Sequence, residues 1–569
     1  VDFQVVVNPV VNIRLVGIAA CAVALLAFFH INVFAEFPAA AVSSRQSDSA
    51  DVQSIYRRLD EQDAEIQRLR EELAVREGTA EHSELLPDGS ASSQSGEGTT
   101  PTSDLEERIN ALEKRLKKLD APKDNTPNDE SVMTGPYEVG SDTKMSAAWK
   151  NGVVFESAHK DFRMHIGGRV NWDVSAFDND PALLVPPAVG GIGPQPDSTQ
   201  FRRARLRADG TMYEVFDWVA EYDFANTLAP ASPNSGQPVA TVPGLTELTI
   251  TWTHLPIVGN FRAGNQREPM GMEHLTSDLY LDFIERSYLR DALWGPYNNG
   301  YTPGMTFFDW TECEDATWAV GLYANQADSF GYAIGDEVAA TGRLTYLPYY
   351  DEPSDGAYLW HIGTSGSVRN PDQGQVRVRT RGDIRSGPPG VLNPIYADTG
   401  TFNASQQDIA GVETAVVWGP LTLEAEYDGT WVQDATTTGA NPVDFGTPFY
   451  HGGYVTLLYF LTGEHSVYNR HTGTFEGVTP LENAFCTSSC NGANTGSGAW
   501  QLGVRYNTVD LNDNGINGGV LNSFTAGVNW YWTSNAKVQF NYDLTRRSEV
   551  KTVDAGDINS FGLRFAYFF

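Results

Sequence analysis

The last ten residues, Ser560-Phe561-Gly562-Leu563-Arg564-Phe565-Ala566-Tyr567-Phe568-Phe569, constrain the fold more than any other segment. Phe561, Leu563, Phe565, Tyr567 and Phe569 occupy every second position, with Ser560, Gly562, Arg564 and Ala566 between them. A period of two gives a strand with one continuous apolar face. A soluble barrel would turn that face inward, yet the arginine and the small residues make the other face the polar one. The pattern fits a membrane-barrel wall strand, apolar toward lipid and polar toward a lumen. An ordinary edge strand that happens to close the chain is the competing reading.

The same alternation begins near residue 161 and recurs along the chain. Met164, Ile166, Gly168, Val170, Trp172 and Val174 oppose Arg163, His165, Arg169, Asn171 and Asp173. Leu421, Leu423, Ala425, Tyr427 and Trp431 oppose Thr422, Glu424, Glu426, Asp428 and Thr430. Many strands with charged polar faces cannot share one dry core. Seventeen segments qualify as strands, one too many for an even, closed barrel. Bacterial barrels alternate short periplasmic turns with long external loops. With Phe569 at the periplasmic side, that alternation survives only if residues 375–385 belong to the fifth external loop. The expected fold is therefore a 16-stranded antiparallel transmembrane β-barrel over residues 151–569. One connection breaks the rule, a long periplasmic segment at 462–498.

Ahead of the barrel, Arg14 precedes an apolar run from Leu15 to Phe29, with Val33-Phe34-Ala35 as a small-residue cleavage site. Residues 1–35 read as a secretory signal, with an uncleaved anchor as the rival. Residues 36–50 form a linker. Heptad-spaced Val52, Ile55, Leu59, Ile66, Leu69 and Leu73 predict a coiled coil over 51–77, and Leu105, Ile109, Leu112, Leu116 and Leu119 a second over 104–120. Residues 78–103 and 121–150 read as flexible linkers. A solvated helical tether is the alternative for the helical pieces. Cys486 and Cys490, separated by three residues, suit a local disulfide in an oxidising compartment. Asp510 to Gly515 resembles the start of a calcium loop, but its twelfth position is Leu521 instead of glutamate, so a tight external hairpin is expected. Neither a metal nor a cofactor is expected.

Ordered pieces of the barrel region resemble a known family. Gly167-Gly168-Arg169 and Phe201-Arg202-Arg203-Ala204-Arg205-Leu206 look like the opening strands of the phosphate-selective porin O and P family. Gly264-Asn265-Gln266-Arg267-Glu268-Pro269, Glu285-Arg286-Ser287, Leu461-Thr462-Gly463-Glu464-His465 and Gly527-Val528-Asn529-Trp530-Tyr531 extend the likeness. The resemblance implies a homotrimer of 16-stranded barrels, with loops three and five and a long periplasmic turn folded into the pore. It maps Arg169, Arg202 and Arg203 onto the family's arginine ladder, with Arg377 and Arg379 in the corresponding loop. The terminal phenylalanine resembles the signal read by the outer-membrane insertion machinery.

The candidate pore residues are Arg169, Arg203, Arg205 and Arg207, with Arg377, Arg379, Arg381 and Arg385 on one side of the fifth-loop segment, and Glu268, Glu285, Glu424 and Glu426. Arg202 has the wrong parity and is expected at the strand mouth. Guanidinium forks can pass an anion from one to the next. They can equally pair with acids across a crowded lumen, and both readings stand. Charge argues against phosphate selectivity. Residues 150–569 hold 25 Lys and Arg against 47 Asp and Glu, and no lysine lies between Lys160 and Lys537. In the third loop Arg267, Arg286 and Arg290 are outnumbered by Glu268, Glu273, Asp278, Asp282, Glu285 and Asp291. Arginine rows facing acid rows predict a transverse field across a constriction. The expectation is an outer-membrane porin for passive diffusion of ions and small polar solutes, its N-terminal region in the periplasm. An anion or phosphate channel and an envelope-tethering protein are the rivals. Neither Gly-x-Ser-x-Gly nor His-Glu-x-x-His occurs, so no enzyme is expected. No nucleic-acid partner is expected of a chain with net charge −33.

Overall fold

The computed structural model describes residues 137–228, 241–294, 300–324, 337–385, 393–489, 492–550 and 555–569. The signal and both coiled-coil expectations fall on residues 1–136, outside the described residues. So does Cys490, and with it the proposed disulfide.

Sixteen strands form the wall: β1 (Phe162–Asn179), β2 (Ser198–Met212), β3 (Phe216–Leu228), β4 (Thr241–Leu255), β5 (Gly259–Arg267), β6 (Tyr301–Trp310), β7 (Ala316–Ala324), β8 (Val338–Tyr350), β9 (Tyr358–Arg369), β10 (Gln406–Trp418), β11 (Leu421–Gln433), β12 (Phe449–Phe460), β13 (Ala499–Asp513), β14 (Ile516–Thr533), β15 (Ala536–Ser548) and β16 (Gly556–Phe568). Each pairs antiparallel with its chain neighbours, and β16 pairs with β1 from Ile558↔Asn179 to Phe568↔Arg169, closing the sheet. Closure leaves no unpaired edge among these sixteen strands, which a lipid-embedded sheet requires. Gly168 N–H and Phe569 C=O fasten the seam at 2.7 Å. A hairpin of Met145–Trp149 and Val153–Ser157 continues the wall beside β1, although Met145–Trp149 lies in the expected 121–150 linker.

The faces match the alternation in the sequence. Outward-facing Trp172, Phe201, Leu206, Leu457, Leu502, Tyr506, Phe540, Phe561 and Phe565 are exposed. Inward-facing Arg203, Arg205, Asn507, Thr525, Gln539, Asp543 and Arg564 are buried. This barrel is apolar outside and polar inside, the reverse of a soluble domain.

Connections alternate as the parity argument requires. Residues 375–385 stay out of the wall: Gln375–Val376 and Arg379–Arg381 pair with Phe402–Asn403 and Ile395–Asp398 inside loop 5 (370–405). The connection 461–498 is long although it leaves from the short-turn end. Asn514 and Gly515, both at positive φ, close β13 and β14 in a tight hairpin.

The lumen is filled from above. Leu183 and Ile192 of loop 1 (180–197), Met270, Tyr288, Leu289 and Trp294 of loop 3 (268–300), and Val376, Val378, Tyr396 and Phe402 of loop 5 form one apolar cluster. It rests on inward-facing Ile409, Val432, Tyr450, Val509 and Leu521 near the long-loop rim. Apolar burial thus holds the loops in the barrel, and polar bonds decide where they sit.

Candidate functional site in the lumen

The arginines arise from β1, β2 and β16. On β2 the pairing with β1 slips between Asn171↔Arg203 and Trp172↔Phe201, so Arg202 is the extra residue of a bulge. A bulge re-aims side chains by breaking the period of two. Both Arg202 and Arg203 therefore face the lumen, at 5% and 3% exposure, while Phe201 turns outward. The expectation that parity leaves Arg202 at the strand mouth is corrected: simple alternation cannot anticipate an inserted residue.

Loop 3 supplies the counter-charges. Asp278 accepts from or pairs with Arg203 (3.3 Å), Arg205 (3.1 Å), Arg267 (3.3 Å), Arg286 and, at 4.0 Å, Arg169. Glu285 meets Arg202 (2.7 Å), Arg564 (3.2 Å), Arg203 (3.7 Å) and Arg385 (3.7 Å). Wall acids complete the set: Glu221 bonds Arg169 and Arg205, Asp223 bonds Arg205 at 2.8 Å, and Asp173 bonds Arg564 at 2.7 Å. Burial alone would push both loop carboxyls up, but the crowd of guanidinium groups, Arg203 foremost for Asp278 and Arg202 for Glu285, holds both well below the usual carboxylate range. The arginines outnumber the acids around them. Arg203 Nε and Nη1 and Arg169 Nη1 are buried with no hydrogen-bond acceptor among the described residues.

The remainder of loop 3 crosses the lumen under polar restraint. Lys537 Nζ donates to Leu281 C=O at 2.8 Å, Asn529 Nδ2 to Asp282 C=O at 2.7 Å, and Arg505 Nη1 to Glu285 C=O at 3.1 Å. Ile284 N–H donates to Asn541 Oδ1 at 2.9 Å. At the opposite wall, Glu426 of β11 accepts from Glu273 N–H (2.6 Å), Met272 N–H (3.2 Å) and Tyr454 Oη–H (2.7 Å). Gly271, at φ 59°, permits this approach: a Cβ there would lie 2.6 Å from the Glu426 carboxylate. Asp282 contrasts with the two arginine-bound acids, because burial raises its pKa against the pull of Lys537.

The structure thus brings Arg169, Arg203, Arg205, Glu285 and Glu426 together around loop 3. Arg381 and Arg385 reach the same loop from loop 5, at 2.7 Å and 3.0 Å from Asp291. Arg377, Arg379 and Arg381 share the less buried side of their segment, with Val376, Val378 and Thr380 on the buried side. Arg385 leaves that side and is buried, because the segment does not continue as one strand. Arg377 is held within loop 5 by Asp398. Glu268 sits apart from the arginine row, accepting from Arg369 (3.0 Å) and Thr341 (2.7 Å). Glu424 is buried, and its Oε1 has no hydrogen-bond partner among the described residues. Arg207 lies lower, joined to Glu247 at 2.7 Å and Asp209 at 3.0 Å.

Sequence reasoning missed the role of Arg343. It pairs with Glu413 and donates to Thr472 C=O (2.9 Å) and Gly473 C=O (2.7 Å), tying the connection 461–498 into the lumen. His361 bridges Glu413 (2.9 Å) and Tyr468 (2.6 Å) beside it. The inward parity of Arg343 was visible between Gly342 and Leu344, but its partners lie far along the chain.

Below loop 3, at the short-turn end, lies a chamber of about 580 Å³ bordered by Arg169, Arg207, Arg262, Arg267, Tyr280, Tyr301, Phe308, Trp310, Phe475 and Phe568. Deeper spaces beside loop 3 shrink to about 10 Å³ near Asp282 and Lys537 and about 20 Å³ near Glu273 and Glu424. Such volumes hold about one water each.

A closed sixteen-stranded barrel, apolar outside, with a charged loop folded across its lumen, is the architecture of an outer-membrane porin. More narrowly, the chain belongs to the phosphate-selective porin O and P family, whose model matches residues 164–569. An uncharacterized protein of Caulobacter vibrioides is 25% identical over 409 residues, covering 70% of this chain and 71% of that protein. Porin O of Pseudomonas aeruginosa is 23% identical over 446 residues, covering 74% and 91%. Among solved structures, the outer-membrane channel DcaP of Acinetobacter baumannii aligns with a TM-score of 0.41 at 12% identity, covering 73% of this chain and 99% of its own. The anion-selective porin from Comamonas acidovorans aligns with a TM-score of 0.40 at 10% identity, covering 72% and 100%.

Proposed function

We propose that this porin is a general diffusion channel for ions and small hydrophilic solutes, with its constriction at the seam between loop 3 and the arginine face of β1, β2 and β16. Arg169, Arg203 and Arg205 line that seam with Glu285, while Glu426 marks the acidic side and Arg381 and Arg385 its loop-5 rim. One observation carries the reading: Asp278 sits among five arginines that an unassisted anion ladder would leave free. The channel functions as a homotrimer, inserted by machinery that reads the aromatic face of β16. Its N-terminal heptads lie in the periplasm behind a secretory signal. No covalent chemistry is assigned.

An anion- or phosphate-selective channel is the second reading, favoured by the surplus of guanidinium groups over acids at the seam. Planar-bilayer recordings in a potassium chloride gradient, repeated with added phosphate, separate the two. Diffusion predicts ohmic current, a small reversal potential, and no block by micromolar phosphate. Chloride current blocked by micromolar phosphate would overturn it.

A further inference from the structure

The chamber beneath loop 3 holds an arginine in a different state from those at the seam. Arg262 projects inward from β5 and borders the chamber. Its Nε donates to Thr251 Oγ1 at 3.0 Å, and its guanidinium lies 4.8 Å from the centre of the Phe308 ring. Those two contacts fix its orientation. Among the described residues it makes no ion pair, whereas Arg169, Arg207 and Arg267 on the same wall each have a carboxylate. An oriented, unneutralised fork with free Nη groups is a ready receptor for one planar carboxylate.

The surroundings select what the carboxylate is attached to. Phe308, Tyr301, Tyr280, Phe475 and Phe568 place ring surface on the same chamber. A small, strongly hydrated anion would satisfy the fork but leave these rings facing water. A ring-bearing carboxylate satisfies both, adding stacking to the ion pair. A cavity of about 580 Å³ is in the range of small-molecule sites.

From this geometry we propose that the chamber is a binding site for aromatic monocarboxylates, with Arg262 as the carboxylate receptor and Phe308 as its platform. The proposal deepens the diffusion-channel reading by naming a solute class that dwells inside the barrel on its way through. The occupant moves on unmodified.

The test is isothermal titration of the full chain in detergent with benzoate, alongside acetate, cyclohexanecarboxylate and phosphate. Benzoate is expected to bind at least tenfold more tightly than acetate or phosphate, and severalfold more tightly than the non-aromatic ring acid. R262Q should weaken benzoate binding at least tenfold, and F308L about threefold. R262K keeps the charge but loses the fork, and should fall between the native chain and R262Q. Should R262Q fail to fold, R262K decides: native affinity in R262K overturns the proposal. So does equal binding of benzoate and acetate, or of benzoate by the native chain and R262Q. Titration does not depend on current, so a chain that binds benzoate without conducting would overturn the diffusion reading and leave this site standing.

Discussion

Asp278 is the residue on which the lumen turns. Removing one member of a buried charge cluster is costly when it leaves the others uncompensated, typically about 3–5 kcal/mol. Asp278→Asn strands several guanidinium groups at once, so it should destabilise the docked loop by about that much. Arg203→Gln removes the arginine that pulls hardest on Asp278, but Asp278 keeps Arg205, Arg267 and Arg286, so it should cost less than Asp278→Asn. Thermal unfolding of the two variants, followed by circular dichroism, checks the order; a larger loss for Arg203→Gln would contradict it. The depressed carboxyls of Asp278 and Glu285 also set a pH window. A carboxylate with a lowered folded pKa stabilises fully above its ordinary value and loses that contribution as pH falls through the lowered one. The dock should therefore hold from pH 8 down to about 5, with conductance changing only in stronger acid. A conductance step between pH 7 and 5 would show that Asp278 and Glu285 do not set the pH range of the dock. Bulges are what the sequence conceals at this scale. Arg202 and Arg203 are adjacent, so alternation must send one of them outward, and only the slip opposite Trp172 brings both in.

Loop 3 is a strut fixed at both ends. Its near end hangs from Glu426 through two backbone amides, and its far end from the arginine face. Glu426→Ala should free the near end, leaving Met272 and Glu273 N–H without their acceptor at a cost of about 1–3 kcal/mol. Single-channel records should show larger open-channel noise and higher mean conductance; records identical to the native chain would place the strut elsewhere. Gly271→Ala should act in the same direction, because the added Cβ collides with Glu426 and Trp294. The elements themselves were legible from parity, since strand alternation and turn length are local properties. Strand parity leaves residues 375–385 out of the wall and marks 462–498 as the exceptional connection. The pairings that hold the loops were not legible. Asp173 and Arg564 are 391 positions apart, and Arg343 and Gly473 are 130 apart. Only the closed barrel makes them neighbours.

At the scale of the whole molecule, charge is arranged across the pore and not along it. Arginines of β1, β2 and β16 stand against Glu426, Glu424 and Asp428 of β11, and loop 3 lies between, presenting acids to the first wall and backbone amides to the second. Sequence counting found both rows and left open whether the arginines guide anions or pair with acids. In the folded chain they pair. We propose that the selectivity of such a channel is masked by its own loop. Reversal potential in a tenfold potassium chloride gradient, compared between the native chain and the double variant Asp278→Asn with Glu285→Gln, tests this most directly. Weak selectivity is expected of the native channel, with a clear shift toward anions once the two loop carboxylates are gone. An unchanged reversal potential in a folded, conducting double variant would contradict it.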